Sequence, residues 1–186
     1  MLSSELQWIA MYTNPRAEKK VEQNLMDAGF ETYLPLRREL HSWSDRKKWV
    51  EVPLIKSYIF ARITNKQLWQ IRNVQGVAYV VSFKGDVATI PDYEIQTMKD
   101  FLAAEIEVQV RNTSLLKRGT KVRINSGGLE GKEGMLVSDS EDGNFAVEIT
   151  GISMAMIIHV DSEMLDVVEE EEAEEEPVKK KKYTIR

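Results

Sequence analysis

The sequence of 186 residues predicts an α+β domain that is followed by a small β-barrel. Helical and strand-like patterns alternate over the first 104 residues, whereas only short strand-like runs occur over 115–168. Four glycines lie in the eight residues from Gly127 to Gly134. Glycine tolerates positive φ and close backbone approach, so this spacing predicts sharp turns between strands.

Changes in composition divide the chain into four parts. We predict a first domain over 6–104, a linker over 105–114, a barrel over 115–168 and a tail over 169–186. The tail holds seven glutamates in eight positions and then four lysines, and such a segment cannot bury a core. We expect it to be disordered and solvated, with a binding role as the alternative.

The elements of the first domain follow from alternation and from start signals of helices. Bulky, alternating runs predict strands over 7–13, 31–36, 49–54, 58–63, 77–82 and 87–90. Asn14-Pro15, Thr64-Asn65 and Pro91-Asp92 predict the starts of three helices. The connections near residues 38–48 and at Gly85 have the composition of hairpins, so the sheet is expected to be antiparallel.

Five short strands are predicted in the barrel. They cover 121–125, 135–137, 145–149, 156–160 and 164–168. Turn residues separate most of them, and about fifty residues of this kind form a small barrel.

The composition excludes several classes of protein and argues against catalysis. The chain has no cysteine, so it has neither disulfides nor thiolate chemistry. No apolar run is long enough for a membrane span, and no signal peptide is evident, which is compatible with a cytoplasmic protein. The two histidines, His41 and His159, fall in different domains, and no nucleophile motif or phosphate loop accompanies them. We expect no enzymatic activity, no metal and no cofactor.

Charge is unevenly distributed along the chain. Residues 1–104 hold 14 Lys and Arg against 12 Asp and Glu, whereas the remaining residues are acidic, and the whole chain has a net charge of −5. The first domain is therefore the better candidate to approach an anion, although such asymmetry is weak support by itself.

Two stretches resemble the domains of one known family. The glycine hairpin, from Gly119 through Lys121-Val122-Arg123-Ile124 to Gly134, resembles a KOW motif, which implies an SH3-like barrel. The segment from Trp8 to Val21 resembles the opening of the NusG N-terminal (NGN) domain, and that from Pro53 to Phe60 resembles its central strand. The chain is thus identified as a member of the NusG family.

The subfamily that the sequence resembles is a specialised one. Housekeeping NusG proteins usually have Pro-Gly-Tyr where this chain has Lys56-Ser57-Tyr58. The compact first domain, with Tyr-Thr-Asn-Pro-Arg-Ala-Glu-Lys-Lys at 12–20, is more similar to the RfaH and UpxY antiterminators of surface-polysaccharide operons.

The resemblance implies residues that contact RNA polymerase. In NusG-like proteins an apolar depression of the NGN domain receives the clamp helices of the polymerase. The corresponding candidates here are Tyr12, Ile55, Tyr58 and Phe60. The alternative is that these side chains belong to the core, and for Trp8, on the same strand face as Tyr12, we favour the core.

The basic segment over 37–49 is the main candidate for binding nucleic acid, because its cations can reach phosphates and its tryptophans can stack on unpaired bases. The alternative is a solvated hairpin. The candidate residues are Lys20, Arg37, Arg38, His41, Arg46, Lys47, Lys48, Lys66 and Arg72.

The barrel is expected to recruit a second partner through apolar residues beside its turns. Leu129, Phe145 and Ile152 are the candidates, and a core role is the alternative for Phe145. Refolding of this half into helices is not expected, because its many β-branched residues favour strands.

The function implied by the resemblance is transcription elongation and antitermination, for a surface-polysaccharide operon. The expected partners are the clamp helices of RNA polymerase, non-template DNA or nascent RNA, and a ribosomal protein or termination factor. We expect a monomer that does not bind membranes. Two alternatives are a housekeeping NusG-type elongation or termination factor and a ribosome-associated KOW protein that binds RNA.

Overall fold

The structure is a computed structural model and describes residues 4–42, 46–116, 119–137 and 144–168. The N-terminal unit contains β1 (Gln7–Thr13), α1 (Glu18–Asp27), β2 (Glu31–Tyr33), β3 (Leu36–Ser42), β4 (Lys47–Pro53), β5 (Tyr58–Ile63), α2 (Leu68–Arg72), β6 (Val77–Val80), β7 (Ser82–Phe83), β8 (Asp86–Val87), β9 (Thr89–Ile90) and α3 (Asp92–Ala103). The C-terminal unit, which we call the barrel, contains β10 (Gln109–Asn112), β11 (Lys121–Ile124), β12 (Glu133–Val137), β13 (Asn144–Ile149), β14 (Met154–His159) and β15 (Leu165–Val167).

The N-terminal unit is built on one antiparallel sheet, as predicted. Its strands follow the order β2-β5-β1-β6, and β9 pairs with the first residues of β1. Strand alternation sends Ile9 and Met11 to one face, where they pack with α1 and α2, and sends Trp8 and Ala10 to the other face, where they pack with α3. The core position that we favoured for Trp8 is confirmed, because its side chain is buried.

The first helix begins later than the sequence predicts. Asn14 and Pro15 were expected to be its N-cap and first residue, but α1 begins at Glu18. Instead, the backbone N–H of Ala17 donates to the carbonyl of Asn14 at 3.1 Å, and Arg16 has a φ of 64°. An Asn-Pro pair favours a turn as strongly as a helix start, and here it forms the turn.

The barrel is a six-stranded antiparallel sheet in the order β10-β14-β13-β12-β11-β15. Its first strand lies in the segment that we expected to be a linker. Gln109 pairs with Ile157, and Asn112 pairs with Met154. Only Val110 gives β10 an apolar residue, so its pattern is too weak to predict a strand. The predicted tail lies outside the described residues.

The two units are in contact through α3 and β9. The rings of Phe101 and Phe145 lie 6.4 Å apart, and the Nζ atom of Lys132 lies 2.5 Å from Oδ2 of Asp100. Gly151 packs so closely that a Cβ atom there would lie 2.4 Å from Cδ1 of Ile90. One apolar cluster therefore continues from the sheet of the N-terminal unit into the barrel.

Candidate binding surfaces

Three tyrosines meet on neighbouring strands at one end of the N-terminal sheet. Tyr12 of β1 is paired directly with Tyr58 of β5 on one side and with Tyr79 of β6 on the other. The Tyr12 ring meets that of Tyr58 edge-on at 5.2 Å and stacks on that of Tyr79 at 5.1 Å. We call these three residues the tyrosine cluster. The side chain of Tyr79 is 53% exposed, so the cluster offers aromatic surface to a partner.

Burial raises the pKa of Tyr58, with smaller contributions from Tyr79 and Tyr12. Its hydroxyl is therefore protonated at neutral pH and can donate a hydrogen bond to a partner. Another aromatic residue, Phe83 at the end of β7, is 71% exposed, and the Nζ atom of Lys84 lies 5.3 Å from its ring centroid.

A buried carboxylate holds the turn that leads into Tyr58. Ser57 has a φ of 63°, a conformation that normally favours glycine. Its backbone N–H donates to Oε1 of Glu18 at 2.9 Å, and its carbonyl accepts from the backbone N–H of Thr13 at 2.8 Å. These two bonds fix the strained residue, and through it the direction in which Tyr58 leaves the turn.

We expect Glu18→Ala to lower the free energy of unfolding by about 2 kcal/mol, because the buried N–H of Ser57 loses its acceptor. Urea unfolding of the full chain measures the change. Glu18→Gln keeps an acceptor oxygen and serves as the control, with a smaller loss. Equal stability of the alanine variant and the unmodified chain would contradict the role of this bond.

The other two predicted polymerase contacts are buried. Ile55 is 2% exposed and Phe60 is 0% exposed, and both belong to the cluster that contains α3. This burial corrects their assignment as surface contacts, since a partner cannot touch them in the described arrangement. The exposed member of the tyrosine cluster is instead Tyr79. The sequence analysis missed it, although its alternation within Val77–Val80 could have placed it on the same sheet face as Tyr12.

The basic segment forms the predicted hairpin, β3 paired with β4. Its residues 43–45 lie outside the described residues. On one face, Arg37 and His41 both contact Glu39, with the His41 Nε2 atom 3.3 Å from a Glu39 oxygen. The hydrogen bond from Arg37, and then that from His41, holds the pKa of Glu39 below its usual value. The charge of Arg37 is thus partly compensated within the hairpin.

Two of the remaining hairpin cations and one lysine of α1 border a shallow depression. Lys19, Arg38 and Lys48 line it, together with Val50, Glu51 and the indole of Trp49, and we call it the hairpin depression. Trp49 is 62% exposed and pairs across the hairpin with Leu40, which is also exposed. The sequence analysis selected Lys20 and missed Lys19, because nothing in the local pattern indicates which lysine of α1 faces a hairpin thirty residues away. Lys20, Arg46 and Lys47 are exposed as well.

A second positive surface lies on and before α2. The predicted residues Lys66 and Arg72 are exposed, and Trp69 lies between them at a spacing of three residues. Trp69 is 78% exposed, and the sequence analysis did not select it. The chain has no Asp or Glu from residue 63 to residue 85, so this segment itself presents no carboxylate to a phosphate backbone.

The predicted partner residues of the barrel are not available on its surface. Leu129, Phe145 and Ile152 are all buried in the cluster that joins the barrel to the N-terminal unit. The ring of Phe145 lies 6.4 Å from that of Phe101 in α3, so packing between the two units contributes to its burial. For the described arrangement, the burial of all three side chains corrects their prediction as exposed contacts.

The described ranges contain neither a cluster of metal ligands nor a helix that could span a membrane. No group of three or more His, Asp or Glu side chains there could hold a metal ion. No described helix has the length and apolar character that crossing a membrane requires.

Comparisons with known proteins identify the family. The chain is similar to a solved structure described as "Domain interaction in Thermotoga maritima NusG", with 21% identity and a TM-score of 0.49, covering 89% of this chain and 98% of that chain. It is also similar to the MjSpt4:Spt5 complex in conformations A and B, with 13% identity and TM-scores of 0.28 and 0.27, covering 87% and 88% of this chain and 97% and 98% of those chains. No curated protein matches. The family model described as "NusG: Transcription termination factor nusG" matches residues 6–99, just over half of the sequence. This chain belongs to the NusG family.

Proposed function

We propose that this NusG-family protein is a transcription elongation and antitermination factor that binds RNA polymerase through the tyrosine cluster. The observation that carries the proposal is the aromatic contact of Tyr12 with both neighbours, edge-on with Tyr58 and stacked with the exposed Tyr79. Tyrosines bury a large area at small entropic cost and are enriched among the residues that dominate binding energy.

Nucleic acid would bind through the hairpin depression and the surface around Trp69. Each combines cations with an exposed indole, the pairing that single-stranded nucleic acid needs for phosphate contact and base stacking. In a transcription complex the ligand would be non-template DNA or nascent RNA. The protein would act in the cytoplasm by binding alone, without a cofactor or a catalytic step.

The barrel would recruit a ribosomal protein or a termination factor. Its candidate residues Leu129, Phe145 and Ile152 are buried in the cluster that spans both units, and a partner of Phe145 would have to displace Phe101 of α3. A partner that binds Phe145 would therefore favour an arrangement in which the two units separate.

We expect the double variant Tyr58→Ala with Tyr79→Ala to bind purified RNA polymerase at least about 30-fold more weakly, as the loss of about 2 kcal/mol at an anchor implies. Surface plasmon resonance with the full chain measures the affinity, and terminator readthrough in a reconstituted assay should fall in parallel. Tyr93→Ala, which removes an exposed tyrosine outside the cluster, is the matched control. Unchanged affinity of the folded double variant would overturn the assignment.

A separate experiment, deletion of the gene, identifies the transcripts that the protein regulates. If the protein acts on a surface-polysaccharide operon, deletion of its gene shortens those transcripts at their distal ends. A housekeeping factor would instead change transcripts throughout the genome, and a ribosome-associated protein would leave transcript ends unchanged. Only the first result agrees with the specialised role.

A further inference from the structure

The hairpin depression is lined by more cations than carboxylates. Lys19, Arg38 and Lys48 contribute three cations, whereas Glu51 is the one carboxylate among the lining residues. The Nζ atom of Lys19 lies 3.9 Å from Oε2 of Glu51. Among the described residues, neither Arg38 nor Lys48 forms an ion pair. The depression is therefore suited to an extended anionic ligand.

The chain itself contains a segment of matching charge. Residues 169–176 include seven glutamates, and no other eight-residue stretch of the sequence has as many charges of one sign. The segment begins directly after Val168, whose backbone N–H donates to the carbonyl of Lys121 at 3.0 Å. Eight extended residues span up to about 28 Å. A compact chain of this size has a radius of gyration of about 16 Å, and thus a diameter of about 40 Å, so the segment can extend from Val168 over part of that surface.

We propose that the glutamate run over 169–176 binds the hairpin depression and competes there with single-stranded nucleic acid. Its carboxylates offer Lys19, Arg38 and Lys48 the same acceptor oxygens that phosphates offer. Nucleic acid can also stack a base on the indole of Trp49, which a glutamate cannot do. This additional contact helps nucleic acid to displace the run. This inference rests on the proposed nucleic-acid role of the depression.

The competition has a measurable consequence for affinity. When a tethered segment occupies a site, the apparent affinity for an outside ligand falls in proportion to the fraction of free sites, so nine-tenths occupancy lowers it about tenfold. Because both contacts are electrostatic at an exposed site, the effect is largest at low ionic strength and disappears as salt screens the charges.

The test replaces all seven glutamates of residues 169–176 by glutamine in the full-length chain. We expect fluorescein-labelled oligothymidine to bind this variant about tenfold more tightly than the unmodified chain at low salt, with little difference at high salt. A parallel titration with oligouridine distinguishes DNA from RNA as the preferred ligand. Replacing Lys179, Lys180, Lys181 and Lys182 by glutamine is the matched control, which should not tighten binding.

A second measurement does not depend on nucleic acid. The indole N–H signals of Trp49 and Trp69 are assigned by substitution and compared by NMR between the unmodified chain and the glutamine variant. A contact within the depression shifts Trp49 and leaves Trp69 in place, whereas a change of net charge alone shifts neither. Tighter oligothymidine binding without a Trp49 shift would overturn the inference.

The two proposals can fail separately. If the Trp49 signal shifts but no variant binds either oligonucleotide, the glutamate run does bind the depression, and the nucleic-acid role and the competition are wrong. If both chains bind the oligonucleotides with equal affinity and Trp49 is unchanged, the nucleic-acid role survives, and the inference about the run is wrong.

Discussion

Replacing Phe60 by alanine is expected to lower the free energy of unfolding by about 3–5 kcal/mol, the range for a large aromatic side chain removed from a core. Phe60 lies in the central part of β5, between Ala10 of β1 and Tyr33 of β2, and its ring stacks on that of Tyr33 with centroids 6.3 Å apart. The side chain is fully buried, so the substitution leaves a cavity that the sheet cannot close. Urea unfolding of the full chain measures the loss.

The comparison variant is Tyr79→Ala, which removes another aromatic residue from the same sheet. We expect a loss of about 1 kcal/mol, the value of an exposed aromatic pair. We expect Tyr79→Ala to cost more free energy of polymerase binding than free energy of unfolding. The opposite pattern, with Phe60→Ala stable but unable to bind polymerase, would show that Phe60 is a surface contact and that the burial argument is wrong.

Gly134→Ala is expected to destabilise the barrel by about 3 kcal/mol, through overpacking at a position that cannot relax. Gly134 lies in β12 opposite Val122. A Cβ atom there would lie 2.5 Å from the carbonyl oxygen of Ala146 and 2.7 Å from the ring of Phe145. Neither neighbour can move easily, because one is sheet backbone and the other is a fully buried ring that also faces Phe101.

Gly128→Ala is the control, since a Cβ atom at Gly128 meets nothing within 4 Å and its backbone does not require positive φ. Its stability should stay within about 0.5 kcal/mol of the unmodified chain. Thermal unfolding followed by near-ultraviolet circular dichroism measures both variants. If the two substitutions have the same effect, the close packing at Gly134 does not limit the stability of the barrel.

Local patterns were sufficient to predict most of the fold. The alternation over 7–13 predicted β1 with its bounds, because strand period and face depend only on neighbouring residues. The glycines near residue 130 predicted the turns of a β-barrel for a similar reason, because a sharp turn favours glycine at particular positions. By contrast, β10 (Gln109–Asn112) was not predicted, because the strand that it pairs with, β14, lies some forty residues away in the sequence.

The binding surfaces were less predictable, since they depend on contacts between distant segments. No local signal distinguishes the buried Phe60 from the half-buried Tyr58, which both alternate onto the same face of β5. The burial of Phe145 depends on the packing of the barrel against α3, and the role of Lys19 depends on where the hairpin folds over α1. Ser57 illustrates the same limit, because a glycine-like conformation is maintained there by Glu18 from another element.

The position of β10 determines how far the two units can separate. Because β10 belongs to the barrel, only residues 104–108 connect it to the last residue of α3. Five residues span at most about 18 Å, so a released barrel stays tethered close to the surface that it has left. So short a connection keeps that surface at an effective concentration on the order of millimolar. Any partner of Phe145 must compete with this local concentration, and closure follows rapidly once the partner dissociates.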